Sequence, residues 1–95
     1  MSFELRFTPS AENDRASIKD PKRAKKVRNT LAKLANDPGY QGLATHRYEA
    51  FDKVYGNPVW ESCVENRTPV AWRIWWAYGP ERGQITVLMI GPHTN

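Results

Sequence analysis

The chain has 95 residues, with 14 Lys or Arg against 10 Asp or Glu and a formal net charge of +4. That length supports one domain, spanning 1–95, with a modest core, and no stretch is apolar for long enough to span a bilayer. The N-terminus, MSFELRF, lacks the long apolar segment of a signal peptide, so a cytoplasmic location is expected; a lone cysteine, Cys63, excludes an internal disulfide or a cysteine-built metal site.

Phe3, Leu5 and Phe7 alternate with Glu4 and Arg6, the period of a half-buried strand. Thr8 then offers an N-cap with Pro9 at the first helical position, and Glu12 and Asp14 suit the positive end of a helix dipole. This helix is weakly amphipathic and ends before Asp20–Pro21, where the same cap-and-proline pair starts a second one. In that second helix Ala24, Val27, Leu31, Leu34 and Ala35 recur at helical spacing, and the sequence Asn36-Asp37-Pro38-Gly39 stops it. Its opposite face is basic. Eight of the 14 cations lie between Arg15 and Lys33, among them Lys22, Arg23, Lys25 and Lys26, with Asp20 as the one acid in the stretch. Such a stripe suits a polyanion through counterion release, and it equally describes a solvated helix face.

Residues 40–58 carry Gly42, Gly56 and Pro58 and read mainly as loop, with a short strand around His46–Phe51. A surface position is the expectation for His46. Three strands follow: VWESCV (Val59–Val64), VAWRIWWAY (Val70–Tyr78) and QITVLMI (Gln84–Ile90), separated by ENRTP and GPERG turns and followed by a tail with His93. Strand, two helices, then a run of strands is the order of an α+β fold. Two N-terminal helices are expected on one face of a twisted antiparallel sheet of four to five strands, with Val27, Leu31 and Leu34 against Phe3, Leu5, Phe7 and the Trp72/Ile74/Trp76 side of its strand. The other side of that strand holds Ala71, Arg73, Trp75 and Ala77. An arginine in mid-strand costs desolvation unless paired, so it calls for an acidic partner, with Glu61 and Glu65 as candidates, or an anionic ligand. Cys63, inside a strand pattern, reads as a buried inert thiol.

The order of elements, the arginine followed by apolar and aromatic residues (WRIWWAY), the closing apolar strand and the histidine tail (IGPH) resemble the RelE/ParE toxin superfamily of bacterial toxin–antitoxin systems. The resemblance covers nearly the whole chain, and residues 45–60 depart from it where a short basic strand is common. It implies, for the RelE-like branch, an mRNA endoribonuclease acting on the ribosome by transfer to the RNA's own 2′-hydroxyl, without metal or cofactor. That chemistry requires a proton acceptor, a proton donor and fixed cations for charge developing on phosphorus. Carried onto this chain, Arg73 matches the phosphate-clamping arginine and His93 the tail histidine; Glu61 is the carboxylate placed by strand pairing to act as base or to orient His93. Arg67 and Arg82, in the two turns, would hold flanking phosphates, with Lys22, Arg23, Lys25 and Lys26 contacting RNA and Trp75 stacking on a base. The ParE-like alternative is a DNA gyrase inhibitor without nuclease activity, and a further one is a non-toxic binding module of the same fold. Either toxin reading implies a cognate antitoxin as partner, besides ribosome and mRNA or gyrase, and no membrane.

Overall fold

The computed structural model describes residues 2–65 and 71–93. In chain order the elements are β1 (Glu4–Phe7), α1 (Pro9–Ala16), α2 (Pro21–Asn36), β2 (His46–Arg47), α3 (Asp52–Tyr55), β3 (Trp60–Cys63), β4 (Trp72–Tyr78) and β5 (Gln84–Pro92), with 3₁₀ turns at Gln41–Leu43 and Glu49–Phe51. The result is the expected α+β fold with a five-stranded sheet in the order β1-β5-β4-β3-β2.

Both helices begin where their caps dictate. The Thr8 hydroxyl accepts from Ala11 N, the Asp20 carboxylate accepts from Lys22 N, and Pro9 and Pro21 occupy first-turn positions that need no intrahelical donor. α2 then lays Val27, Leu31 and Leu34 onto one face of the sheet, against Ile74, Trp76, Ile85, Val87 and Ile90, with Phe3, Leu5, Phe7 and Trp72 at the margin. This is the expected core.

Within the sheet, β2 to β5 pair antiparallel, whereas β1 runs parallel to β5, with Glu4 opposite Gln84 and Phe7 opposite Val87. The sheet is therefore mixed rather than wholly antiparallel. Period-2 alternation fixes which side chains face the core but carries no information on strand direction. The direction follows from how α1 continues beyond β1 along the same edge of β5. The Thr8 hydroxyl donates to Leu88 O at 2.9 Å, and Asp14 Oδ2 accepts from Ile90 N at 3.0 Å, so α1 satisfies β5 backbone groups that β1 is too short to reach.

The far face of the sheet has its own cover. Val59, Trp75, Ala77 and Leu88 form a second apolar cluster beneath Tyr48, Phe51 and Tyr55 of the segment running through α3. A bulge supports it: Trp75 opposes Met89 but Trp76 opposes Val87, so β5 has one extra residue and delivers both Leu88 and Met89 to this face. The expectation that Trp75 offers a stacking surface for a base is corrected here. Its side chain is 4% exposed, 6.0 Å between ring centroids from Tyr48 and 6.3 Å from Phe51, and it is core.

Candidate functional site

The remaining half of that outer face is polar, and the strand register assembles it. His46 on β2 opposes Glu61 on β3, while Cys63 on β3 opposes Arg73 on β4, which in turn opposes Gly91 on β5. One residue beyond β5, His93 N donates to Ala71 O at 2.8 Å, so the β4–β5 ladder runs on far enough to hold the histidine over the sheet. Four side chains from four chain segments converge.

Glu61 is their centre and is 1% exposed. One carboxylate oxygen, Oε1, lies 2.8 Å from His46 Nε2 and 3.7 Å from Arg73 Nε; the other, Oε2, lies 3.1 Å from His93 Nδ1. A buried carboxylate is tolerated only when paired, and here three groups able to carry positive charge surround one negative charge. The surrounding groups are more open than the carboxylate: the side chains of Arg73, His93 and His46 are 18%, 31% and 56% exposed. Glu61 is thus enclosed by its own partners, and its two oxygens face the imidazoles and the guanidinium rather than solvent.

Arg73 is held by its Nη1, which donates to Glu65 O at 2.6 Å and to Trp72 O at 3.2 Å. Its Nε is buried without a hydrogen-bond partner among the described residues, because Glu61 Oε1 is too distant to accept.

His46 has the exposed position expected of it, and it also joins the cluster around Glu61. Its Nδ1 lies 3.2 Å from Ala44 O and its Nε2 faces Glu61, so both ring nitrogens look at oxygen acceptors. Both can donate at once only in the imidazolium form. The backbone just before it is strained: Ala44 has φ of 48°, the left-handed region that a non-glycine residue avoids. Thr45 is fastened from the other side of the sheet, its hydroxyl 2.6 Å from that of buried Ser62, which also accepts from Trp76 Nε1 at 2.8 Å. A fastened, strained segment beside an exposed histidine is detectable in sequence only as the TH dipeptide in an aperiodic stretch.

The other expected contacts separate. Arg82 sits in the exposed turn between β4 and β5, past the Tyr78 end of β4. Five residues of strand, about 17 Å, part Arg73 from that end, so Arg82 is not a neighbour of the cluster. Arg67 lies outside the described residues. Lys22 and Lys25 project from α2, whereas Arg23 bonds Glu65 and Lys26 approaches it to 4.0 Å. Among the described residues no group of three or more His, Cys, Asp or Glu side chains is arranged to hold a metal ion, and no helix is long and apolar enough to cross a membrane.

No protein-family model matches the sequence, and no curated protein does. Solved structures do match. The archaeal RelE-RelB complex from Pyrococcus horikoshii contains a chain similar to this one with a TM-score of 0.70 at 11% identity, covering 97% of this chain and 96% of that one. The YoeB/ParE toxin from Agrobacterium tumefaciens gives 0.72 at 14% identity, covering 96% and 99%. The intact Escherichia coli RelBE toxin-antitoxin complex gives 0.63 at 10% identity, covering 99% and 100%. At such identities the likeness speaks to architecture, and it extends over essentially the full length: the chain carries the fold of the RelE/ParE toxin superfamily.

Proposed function

We propose that this chain is the toxin of a toxin–antitoxin pair and acts in the cytoplasm as a ribosome-dependent mRNA endoribonuclease. The observation that carries the reading is Glu61, buried and contacted on its two oxygens by two different histidines, with Arg73 alongside. A gyrase-binding protein has no need of paired imidazoles oriented by a shared carboxylate. RNA transesterification does, because one proton must leave and another must arrive while charge builds on phosphorus.

In this reaction the 2′-oxygen forms a bond to phosphorus as the bond from phosphorus to the 5′-oxygen breaks, leaving a 2′,3′-cyclic phosphate and a free 5′-hydroxyl. His93 presents Nδ1 to Glu61, which leaves Nε2 to take the 2′-OH proton. His46, at the more exposed edge of the cluster, supplies the second proton to the departing 5′-oxygen from Nδ1, whose N–H leaves the Ala44 carbonyl for it while Nε2 stays on Glu61. Arg73 has Nη1 committed to backbone carbonyls, and Nη2, which makes no hydrogen bond among the described residues, is the donor left for a phosphoryl oxygen. Glu61 touches none of the reacting atoms and sets the rings. The cation-rich face of α2 would contact RNA and also suits an antitoxin of acidic character.

Primer extension on cells expressing the protein, and cleavage of a message bound to purified ribosomes, test the reading. Cuts within translated codons, lost in Arg73→Ala and His93→Gln, are expected. A folded, toxic protein that leaves messages intact while DNA breaks accumulate would reject the nuclease in favour of gyrase inhibition.

A further inference from the structure

The basic face of α2 is two populations of cations. Lys22 and Lys25 extend into solvent. Arg23 turns inward: its Nε lies 3.2 Å from Glu65 Oε2, its Nη2 3.5 Å from Oε1, and its guanidinium rests 4.9 Å above the Trp72 ring. Glu65 is largely buried and uses Oε1 a second time, accepting from Trp72 N at 3.3 Å, while its own N–H donates to Trp72 O at 3.2 Å. Arg23 and the Glu65 carboxylate therefore bind residues 65 and 72 to one another across the junction of two strands. The carbonyls of these same two residues receive Arg73 Nη1.

The geometry points to Arg23 and Glu65 as a positioning pair for Arg73, a strut running from α2 through the end of the sheet to the guanidinium. The inference rests on the nuclease reading for its functional consequence. Arg73 has little else to fix its fork, since among the described residues its Nε has no hydrogen-bond partner and Glu61 stands 3.7 Å away. Releasing the Glu65 carboxylate frees the carbonyl of residue 65 to move. Misplacement of a catalytic group by about 1 Å costs up to about 100-fold in rate. The strut therefore governs the chemical step, whereas Lys22 and Lys25 govern binding.

Kinetics on a ribosome-bound message separate the two roles. In Arg23→Ala and Glu65→Gln, kcat should fall about 10- to 100-fold with KM and salt dependence little changed. The double variant should fall no further than either single one, because the two residues act as a unit. Arg23→Lys, which keeps charge but not the fork, should recover part of the loss. Lys22→Ala with Lys25→Ala should do the reverse, raising KM at constant kcat. An Arg23→Ala variant that raises KM alone would overturn the proposal and return Arg23 to the RNA-binding surface. Should the unaltered protein cut no message, the nuclease reading fails by itself, and the strut is judged by nitrogen-15 NMR of the Arg73 side chain. Hindered rotation of its guanidinium, abolished by Arg23→Ala and by Glu65→Gln in variants that still melt cooperatively, supports the strut. An Arg73 signal indifferent to both changes refutes it.

Discussion

The outer face of the sheet is divided between two unlike halves built from the same strands. Trp75 and Ala77 on β4, with Val59 before β3 and Leu88 on β5, disappear beneath Tyr48, Phe51 and Tyr55. Two residues away on β3, and two away on β4, Glu61 and Arg73 stand with His46 and His93, whose side chains remain partly exposed. One half is closed by aromatic packing and behaves as interior. The other concentrates charge around a buried carboxylate and leaves its cations accessible. A covered apolar half gives a site rigid footing, and an uncovered polar half gives it access.

Substitutions should respect that line. Trp75→Ala removes a buried indole and should lower stability by about 3–5 kcal/mol in a denaturant melt. A negligible loss would mean that the Tyr48–Tyr55 segment does not pack there. Arg73→Ala should leave the fold largely intact yet reduce RNA cleavage about 10²–10³-fold, as removal of a fixed transition-state donor does. His93→Gln and His46→Gln should each reduce cleavage by about 10²-fold or more, since glutamine hydrogen-bonds but does not exchange a proton. Full activity in His46→Gln would confine proton transfer to His93. Ser62→Ala lies on the boundary. It strips Trp76 Nε1 and Thr45 of their shared partner and should cost about 1–3 kcal/mol by thermal melt, with a modest fall in cleavage transmitted through His46. The smallest effect belongs to Lys22→Ala and Lys25→Ala. They should reduce the slope of log affinity against log salt by about 0.7 for each phosphate no longer engaged, without altering the melt.

Much of the architecture is legible in the sequence because local chemistry specifies it. Asp20 before Pro21, and Asn36-Asp37-Pro38-Gly39 after the apolar stripe, delimit α2 at the very residues where it starts and stops. Alternation along β4 separates Ile74 and Trp76 from Arg73 and Trp75 correctly. What is illegible depends on partners distant in sequence. The parallel β1–β5 pairing joins residues some 80 positions apart, and nothing in FELRF announces a direction. Trp75 loses its expected role because its cover comes from residues 48–55, which have no periodicity to betray a packed segment. His46 is exposed as expected, but its place beside Glu61 is illegible for the same reason: β2 is two residues long and takes its register only from pairing with β3. Arg73, Glu61 and His93, named together from the strand pattern and the family resemblance, do lie together, whereas Arg82 sits in a turn at the far end of β4.

Because β5 lies between β1 and β4, the order of synthesis and the order of assembly run against each other. β1, α1 and α2 are made first and wait for a strand made long after them before they have a sheet to cover. His46, Glu61 and Arg73 emerge earlier than the residue that completes them, and His93 takes its place only by extending the β4–β5 ladder. A chain with such distant pairings gains little from partial folding and closes late. A nascent chain therefore brings the four side chains together only once β5 is seated, so translation itself sets when the cluster is complete.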